Sequence, residues 1–516
     1  MPRRPARARV WLAIVVAATT ASCVGAGTRT DADIVRVAIR ASPASFDPRI
    51  GTDEQSQRVH QLIYSQLMTV DSELRVVPGL AARLDHPDPL TYIAYLRSGV
   101  RFHDGHALTA RDVVYTFESF LDPDFVSARR GAYQMLASVT ALDDHRVEFT
   151  LKEPFGSFPV QLVMPVVPDG AGESLQAFPI GTGPYRFVRY LDDEQVELSA
   201  FEGYWDGLPQ NAGVTLRIIP DDTMRGLELR KGSADIAIND VTPDIALQLQ
   251  RDGMTVVEGA GVDYAYIGLN MKDAVLRDKR VRHAIGYAID RQSIIEHLRR
   301  GLATPSDGVL SPLAWASESD VHHFDYDVSR AKQLLDDAGY PDPDGDGPLP
   351  RLRLSLKTSA DEFYRLQAAV IQENLRLVGI ALDVRSYEFA TFYADVLEGN
   401  VQMYTLQWVG VTDPDMLRRL FHSAQVPPVG FNRIHYSNPE VDHLIDMATA
   451  ATTDADRQRY YSAVQRAVAE DAPYISLWHR TNVAVMGPHV TGLRLSPQAD
   501  FLALKDVRKA RAGSGG

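Results

Sequence analysis

Val147, Phe149 and Leu151 alternate with Arg146, Glu148, Thr150 and Lys152, the two-residue period of a strand with one buried face. Leu352, Leu354 and Leu356 repeat that period. Elsewhere the spacing is helical. Val281, Ala284, Ile285, Ala288, Ile289, Ile295 and Leu298 fall on one stripe, with Asp278 placed to cap its start. Asp327 caps a second predicted helix, whose Val328, Ala331, Leu334, Leu335 and Ala338 face inward and which Gly339 ends in a left-handed conformation. After Leu352 the pattern reads strand, helix through about residue 377, a glycine stop at Gly379, and a second strand over 380–384. That is a βαβ unit, so this half of the chain is expected to hold parallel strands.

The stretch 92–118 carries local punctuation. An alternating strand ends at Leu96, Asp104-Gly105 forms a turn, and Thr109 with Asp112 forms a capping box that opens a helix at Ala110. Strand and helix signals interleave along the whole chain, which predicts an α/β or mixed α+β fold. The length of 516 residues allows two or three domain-sized cores.

Charge excludes one class of partner. The net charge is −14, and residues 1–22 contain four arginines and no acid, so the remainder sits near −14 − 4 = −18. No lysine or arginine cluster stands ready to neutralise phosphates, so nucleic acid is not an expected partner.

The start reads as export. Arg3, Arg4, Arg7 and Arg9 precede the apolar run Val10 to Ala18, which is too short to remain as a membrane-spanning helix. Cys23 is the only cysteine, which excludes an intramolecular disulfide framework. It follows Thr20-Ala21-Ser22 and so is similar to a bacterial lipobox, though with threonine where leucine is usual. Two readings stand: acylation of Cys23, with 23–33 as a tether, or ordinary cleavage of 1–22 beside an incidental cysteine.

Several motifs then follow one another in register. They are Ser45-Phe46-Asp47-Pro48; Leu96 to Gly105 with Leu108 to Val113; Gly181-Thr182-Gly183-Pro184-Tyr185; Tyr204-Trp205; Lys231 to Ile236; Leu269-Asn270; Val281 to Ile285 with Ala288-Ile289-Asp290; and Ala331 to Tyr340. Together they resemble the family 5 extracellular solute-binding proteins of ABC importers, which include dipeptide-, oligopeptide- and nickel-binding members. The resemblance implies a two-lobed periplasmic-binding-protein fold of type II that closes on a hinge. Lobe I takes 34–265 plus 483–510, with an inserted subdomain at about 60–180, and lobe II takes 266–482. The crossings are expected at 266–270 and 481–485. A peptide or other small solute, an ABC permease with its ATPase, and the membrane through a lipid anchor are the implied partners of a monomer on the periplasmic side of the envelope.

In peptide-binding members an aspartate shortly after a lobe II tryptophan pairs with the peptide's amino terminus. The matching stretch here runs from Gln407-Trp408 to Asp413-Pro414-Asp415, with Val411 in the aspartate's place and a spacer one residue shorter. Free dipeptides are therefore doubtful guests. The candidate ligand residues are Trp408, Tyr404, Asp413, Asn432, Arg433 and Trp478. Each has a bland counterpart: a core aromatic for the indoles and tyrosine, a turn residue for Asp413 before its proline, and a solvated cation for Arg433.

The fourteen histidines lack metal-ligand spacing, and His322-His323 points its rings apart, so no metal or cofactor is expected. No G-x-S-x-G, H-E-x-x-H, P-loop or G-x-G-x-x-G occurs, so the chain is read as a binding protein and not an enzyme. The alternatives are a ligand-reporting protein that serves a sensor and, behind it, a secreted hydrolase.

Overall fold

The computed structural model describes residues 33–345 and 347–510. The predicted export segment, Cys23 and all but the last residue of the tether lie outside the described residues.

One mixed sheet runs through the molecule. Its order is Ile380–Tyr387, Leu352–Ser359, Met403–Trp408, Thr255–Leu269, Tyr474–Met486, Ile236–Ile238, Ile34–Ile39, Gly213–Ile218, Gln195–Ala200, Tyr185–Leu191. The two long strands, Thr255–Leu269 and Tyr474–Met486, pair antiparallel, with a register break between Ala260 and Tyr264. Beyond the break they belong to different cores. Val257, Ala484 and Met486 join the core of Val35, Val37, Leu216 and Ile236, whereas Ile267, Leu269, Ile475 and Leu477 join that of Ile285, Leu354 and Ile371. The fold is therefore α/β in two lobes threaded by two strands.

The predicted βαβ unit is present. Leu352–Ser359 runs parallel to Ile380–Tyr387, with Leu352 opposite Ile380, and the helix Glu362–Leu377 covers them. Ile34–Ile39 and Gly213–Ile218 are likewise parallel in lobe I. The helical stripe from Val281 to Leu298 is two helices rather than one. Lys279–Ala288 ends at an extended Ile289, and Asp290 caps Arg291–Leu298 by accepting from Ser293 N. Asp327 caps Val328–Asp337 through Arg330 N, and Gly339 follows at φ 90°.

The strand Arg146–Leu151 lies in a separate four-stranded antiparallel sheet, ordered Ala81–Asp88, Thr91–Leu96, Arg146–Leu151, Leu136–Asp143. Val147, Phe149 and Leu151 all point into its core, beside Phe117 and Val113 of the helix Ala110–Glu118. Asp112 accepts from Thr109 N at 2.8 Å, which closes the predicted box at the helix start. The Gly-Thr-Gly motif seats this subdomain. A Cβ on Gly181 or Gly183 would meet backbone of Ile63 or Leu62 within 2.8 Å, so only glycine permits that approach.

Among the described residues no helix is long and apolar enough to cross a membrane.

Candidate functional site

In both lobes the parallel strands end, at their carboxyl ends, on a common space. Lobe I contributes Arg40 after Ile34–Ile39, Asp222 after Gly213–Ile218, and Asn239 and Asp240 after Ile236–Ile238; lobe II contributes Glu362 and Phe363 after Leu352–Ser359. Such strand ends are where open α/β sheets hold ligands, because loops and helix starts replace the closed hydrogen-bond ladder there. The space is a cavity of about 640 Å³, within the range of small-molecule sites. Three helices, Asp222–Lys231, Pro243–Arg251 and Glu362–Leu377, begin at its wall and aim partial positive charge at it.

Most of the charge around the cavity is already committed. Asp240, almost wholly buried, accepts from Arg58; Arg225 pairs with Asp222, and Arg40 with Glu54. Arg300 of lobe II reaches across to Asp244 of lobe I at 2.9 Å. At the break between the long strands, Asp263 accepts from Gly410 N at 3.0 Å and from Gln407 Nε2 at 3.2 Å, and lies 3.7 Å from Arg480. Asn239, Asn482 and Val483 are also joined here: Asn239 donates to Asn482 Oδ1 at 3.0 Å and accepts from Val483 N at 2.9 Å.

The lobes meet a second time at the inserted subdomain. Gly156 N donates to Thr449 O at 2.8 Å, and Arg457 Nη2 donates to Ser157 Oγ at 2.6 Å. A further cavity of about 610 Å³ lies beside this contact, between Phe155 and Met164 on one side and Arg418 and Thr449 on the other.

The predicted ligand residues fall in four places, none of which lines the 640 Å³ cavity. Trp408, Tyr404 and Arg433 come together. The Arg433 guanidinium lies 4.3 Å from the Trp408 ring, which stacks parallel to Tyr266; Tyr404 packs edge-on to Tyr266. Arg433 is 4% exposed and donates to Tyr393 Oη at 2.7 Å, and its Nε has no partner. The Trp408 indole nitrogen is unpartnered as well. Asn432 instead ties its own loop, donating to His422 O and Tyr436 O and accepting from Tyr436 N. Trp478 is buried in the lobe II core, edge-on to Phe363. Asp413 sits at the subdomain contact, 3.8 Å from Arg457, and burial pushes its carboxyl up to about 6. Val411, where an amine-binding aspartate would stand, is buried among apolar groups.

Arg299, Arg480, Asp240 and Glu362 line the cavity but were not among the expected residues. The signal available was positional: Glu362 opens the helix after a predicted strand, whereas Asp240 follows a strand, Ile236–Ile238, that was not predicted.

Residues 75–427 match the family described as bacterial extracellular solute-binding proteins, family 5 Middle. The chain belongs to the family 5 bacterial extracellular solute-binding proteins. Among relatives of this solute-binding protein, the oligopeptide-binding protein AppA of Bacillus subtilis is 30% identical over 482 residues, 89% of this chain and 88% of that one. The glutathione-binding protein GsiB of Pectobacterium atrosepticum is 31% identical over 509 residues, 96% and 97% of the two chains. The structure of AppA from Bacillus subtilis in complex with a nonapeptide matches with a TM-score of 0.76 at 29% identity, over 92% of this chain and 99% of that one. The solute-binding protein thus shares its two-lobed architecture with these relatives along nearly its whole length. Among its described residues no cluster of three or more metal-ligating side chains occurs.

Proposed function

We propose that this solute-binding protein serves an ABC importer, taking a peptide or peptide-like solute between its lobes and handing it, unaltered, to a membrane permease. The observation that carries the reading is the 640 Å³ cavity between facing strand ends, bridged at its edge by Arg300 and Asp244. The names of AppA and GsiB, which bind an oligopeptide and glutathione, set the class of guest. Hinge bending is assigned to 260–264 and 479–481, where the long strands break register, a few residues from the 266–270 stretch expected from the resemblance. Lobe I is then 34 to about 260 plus the chain after about 481, with the subdomain moving as part of it. Trp408, packed on Arg433, forms an apolar face outside that cavity, beside the exposed side chain of Val409, along which a longer guest can extend. No residue is assigned a catalytic role.

The test is capture from a tryptic digest of dephosphorylated casein. Peptides retained by the purified protein and recovered intact are expected; an empty protein, or recovery of shortened products, contradicts the reading.

The same proposal places the mature protein as a monomer on the outer side of the membrane, held by acyl chains on Cys23. Growth with a labelled fatty acid is expected to label the wild type and not Cys23→Ser. Equal labelling of the two would remove the anchor at that position. Two chains are needed for durable attachment, since a single one binds only reversibly.

A further inference from the structure

We propose that Arg299 and Arg480 form an oxyanion site in the interlobe cavity that takes a carboxylate of the guest. The inference rests on the reading of that cavity as the solute site. Both side chains line it, and most of the remaining cavity charges already have partners: Arg225 with Asp222, Arg300 with Asp244, Arg40 with Glu54, and Asp240 with Arg58. Arg299 makes no ion pair among the described residues. Among the described residues its side chain hydrogen-bonds to Leu302 O, at 3.4 Å, and its Nε is buried without a partner. Arg480 has Asp263 alone, at 3.7 Å, and both oxygens of that carboxylate already accept other hydrogen bonds.

Fold topology brings the two cations together. Ala303 pairs with Arg480 across the short strand Ala303–Pro305, so the helix end four residues upstream delivers Arg299 to the same wall. Arg299 lies 5.3 Å from the Phe363 ring, which holds the guanidinium plane against an apolar face. Burial, and then the charge of Arg480, hold Arg299 down to about 10, so it stays cationic at neutral pH while two like charges share one space. A guest carboxylate supplies what this wall lacks: an acceptor for the orphaned Nε and a counter-ion for the pair. The three helix starts at the cavity add to the same field. His297 is exposed at the rim, and Glu362, exposed in the first turn of its helix, is the one cavity carboxylate without a cation partner. Glu362 therefore opposes the anion.

The experiment uses the dephosphorylated casein digest untreated and after amidation of all its carboxyl groups with methylamine. Wild type is expected to retain at least about tenfold more peptide from the untreated pool. R299Q/R480Q, checked for folding by circular dichroism, is expected to retain the two pools alike. E362Q, a change at an exposed position, is expected to strengthen retention of untreated peptides and carries the test if the double variant does not fold. Equal retention of both pools by wild type overturns the proposal, as does a folded double variant that still discriminates, or an E362Q that retains no more than wild type. Displacement of bound peptide by excess inorganic phosphate would overturn the carboxylate assignment in favour of a bare oxyanion. Retention from neither pool removes the solute reading itself, and so separates its failure from that of the arginine pair.

Discussion

Asp235→Ala is expected to destabilise lobe I by about 3 kcal/mol, measured by urea unfolding at neutral pH. The carboxylate is fully buried and gathers two cations and an imidazole from distant parts of the chain: Arg36 at 2.9 Å, Lys509 at 2.9 Å and His489 at 2.9 Å. It thereby fastens the C-terminal segment to the first strand of the sheet. Burial alone would raise its pKa, but the hydrogen bonds from Arg36, Lys509 and His489 hold it down to about 2. A folded-state pKa below the unfolded value means that the unfolded chain binds the proton more readily. The contribution is therefore complete above about pH 4 and lost as pH falls toward 2, and the alanine variant should lack that part of the acid sensitivity. Alanine leaves Arg36 and Lys509 without their anion, and their partial exposure lets water soften the loss, which places the effect at the low end for a broken buried pair. Asp235→Asn, which keeps the hydrogen-bonding shape, should lie between the two. A variant within 1 kcal/mol of wild type would show that the C-terminal segment is held by its apolar contacts alone.

Gly156→Val is expected to weaken guest binding by about tenfold or more while leaving each lobe folded, with the affinity for a retained digest peptide as the readout. A Cβ at this position would lie 2.4 Å from Ala451 O, a backbone atom of the opposing lobe that cannot turn aside. The substitution must push the subdomain off lobe II, breaking the bond from Gly156 N to Thr449 O and loosening Arg457 from Ser157. Since the clash arises only where the lobes touch, its cost falls on the closed form, and a guest that binds the closed form loses affinity by that amount. Undiminished affinity would mean that this contact does not close with the guest.

Local features of the fold were legible because their physics is local. Val147, Phe149 and Leu151 show their strand by side-chain period alone, and Asp278, Asp327 and the Thr109–Asp112 pair each mark a helix start through a bond within three residues. The division of the 281–298 stripe was not legible, since an apolar period continues unchanged across Ile289 while the backbone there turns extended. Trp408, Tyr404 and Arg433 were singled out by type and do meet. Trp478 was harder to place, because a crossing strand is buried on both faces and offers no alternation to separate core from cleft. Arg299 and Arg480 are 181 positions apart in the chain, and only the pairing of Ala303 with Arg480 puts them on one wall, a relation that no spacing in the sequence carries.

The central claim is that two lobes joined at 260–264 and 479–481 bend shut on a guest. Small-angle X-ray scattering of the purified protein, stripped of guest by partial unfolding and refolding and then measured with and without a peptide it retains, tests this most directly. A smaller radius of gyration with the guest, reversed when the guest is removed again, is the predicted result. Identical scattering profiles at saturation with that peptide would contradict the account.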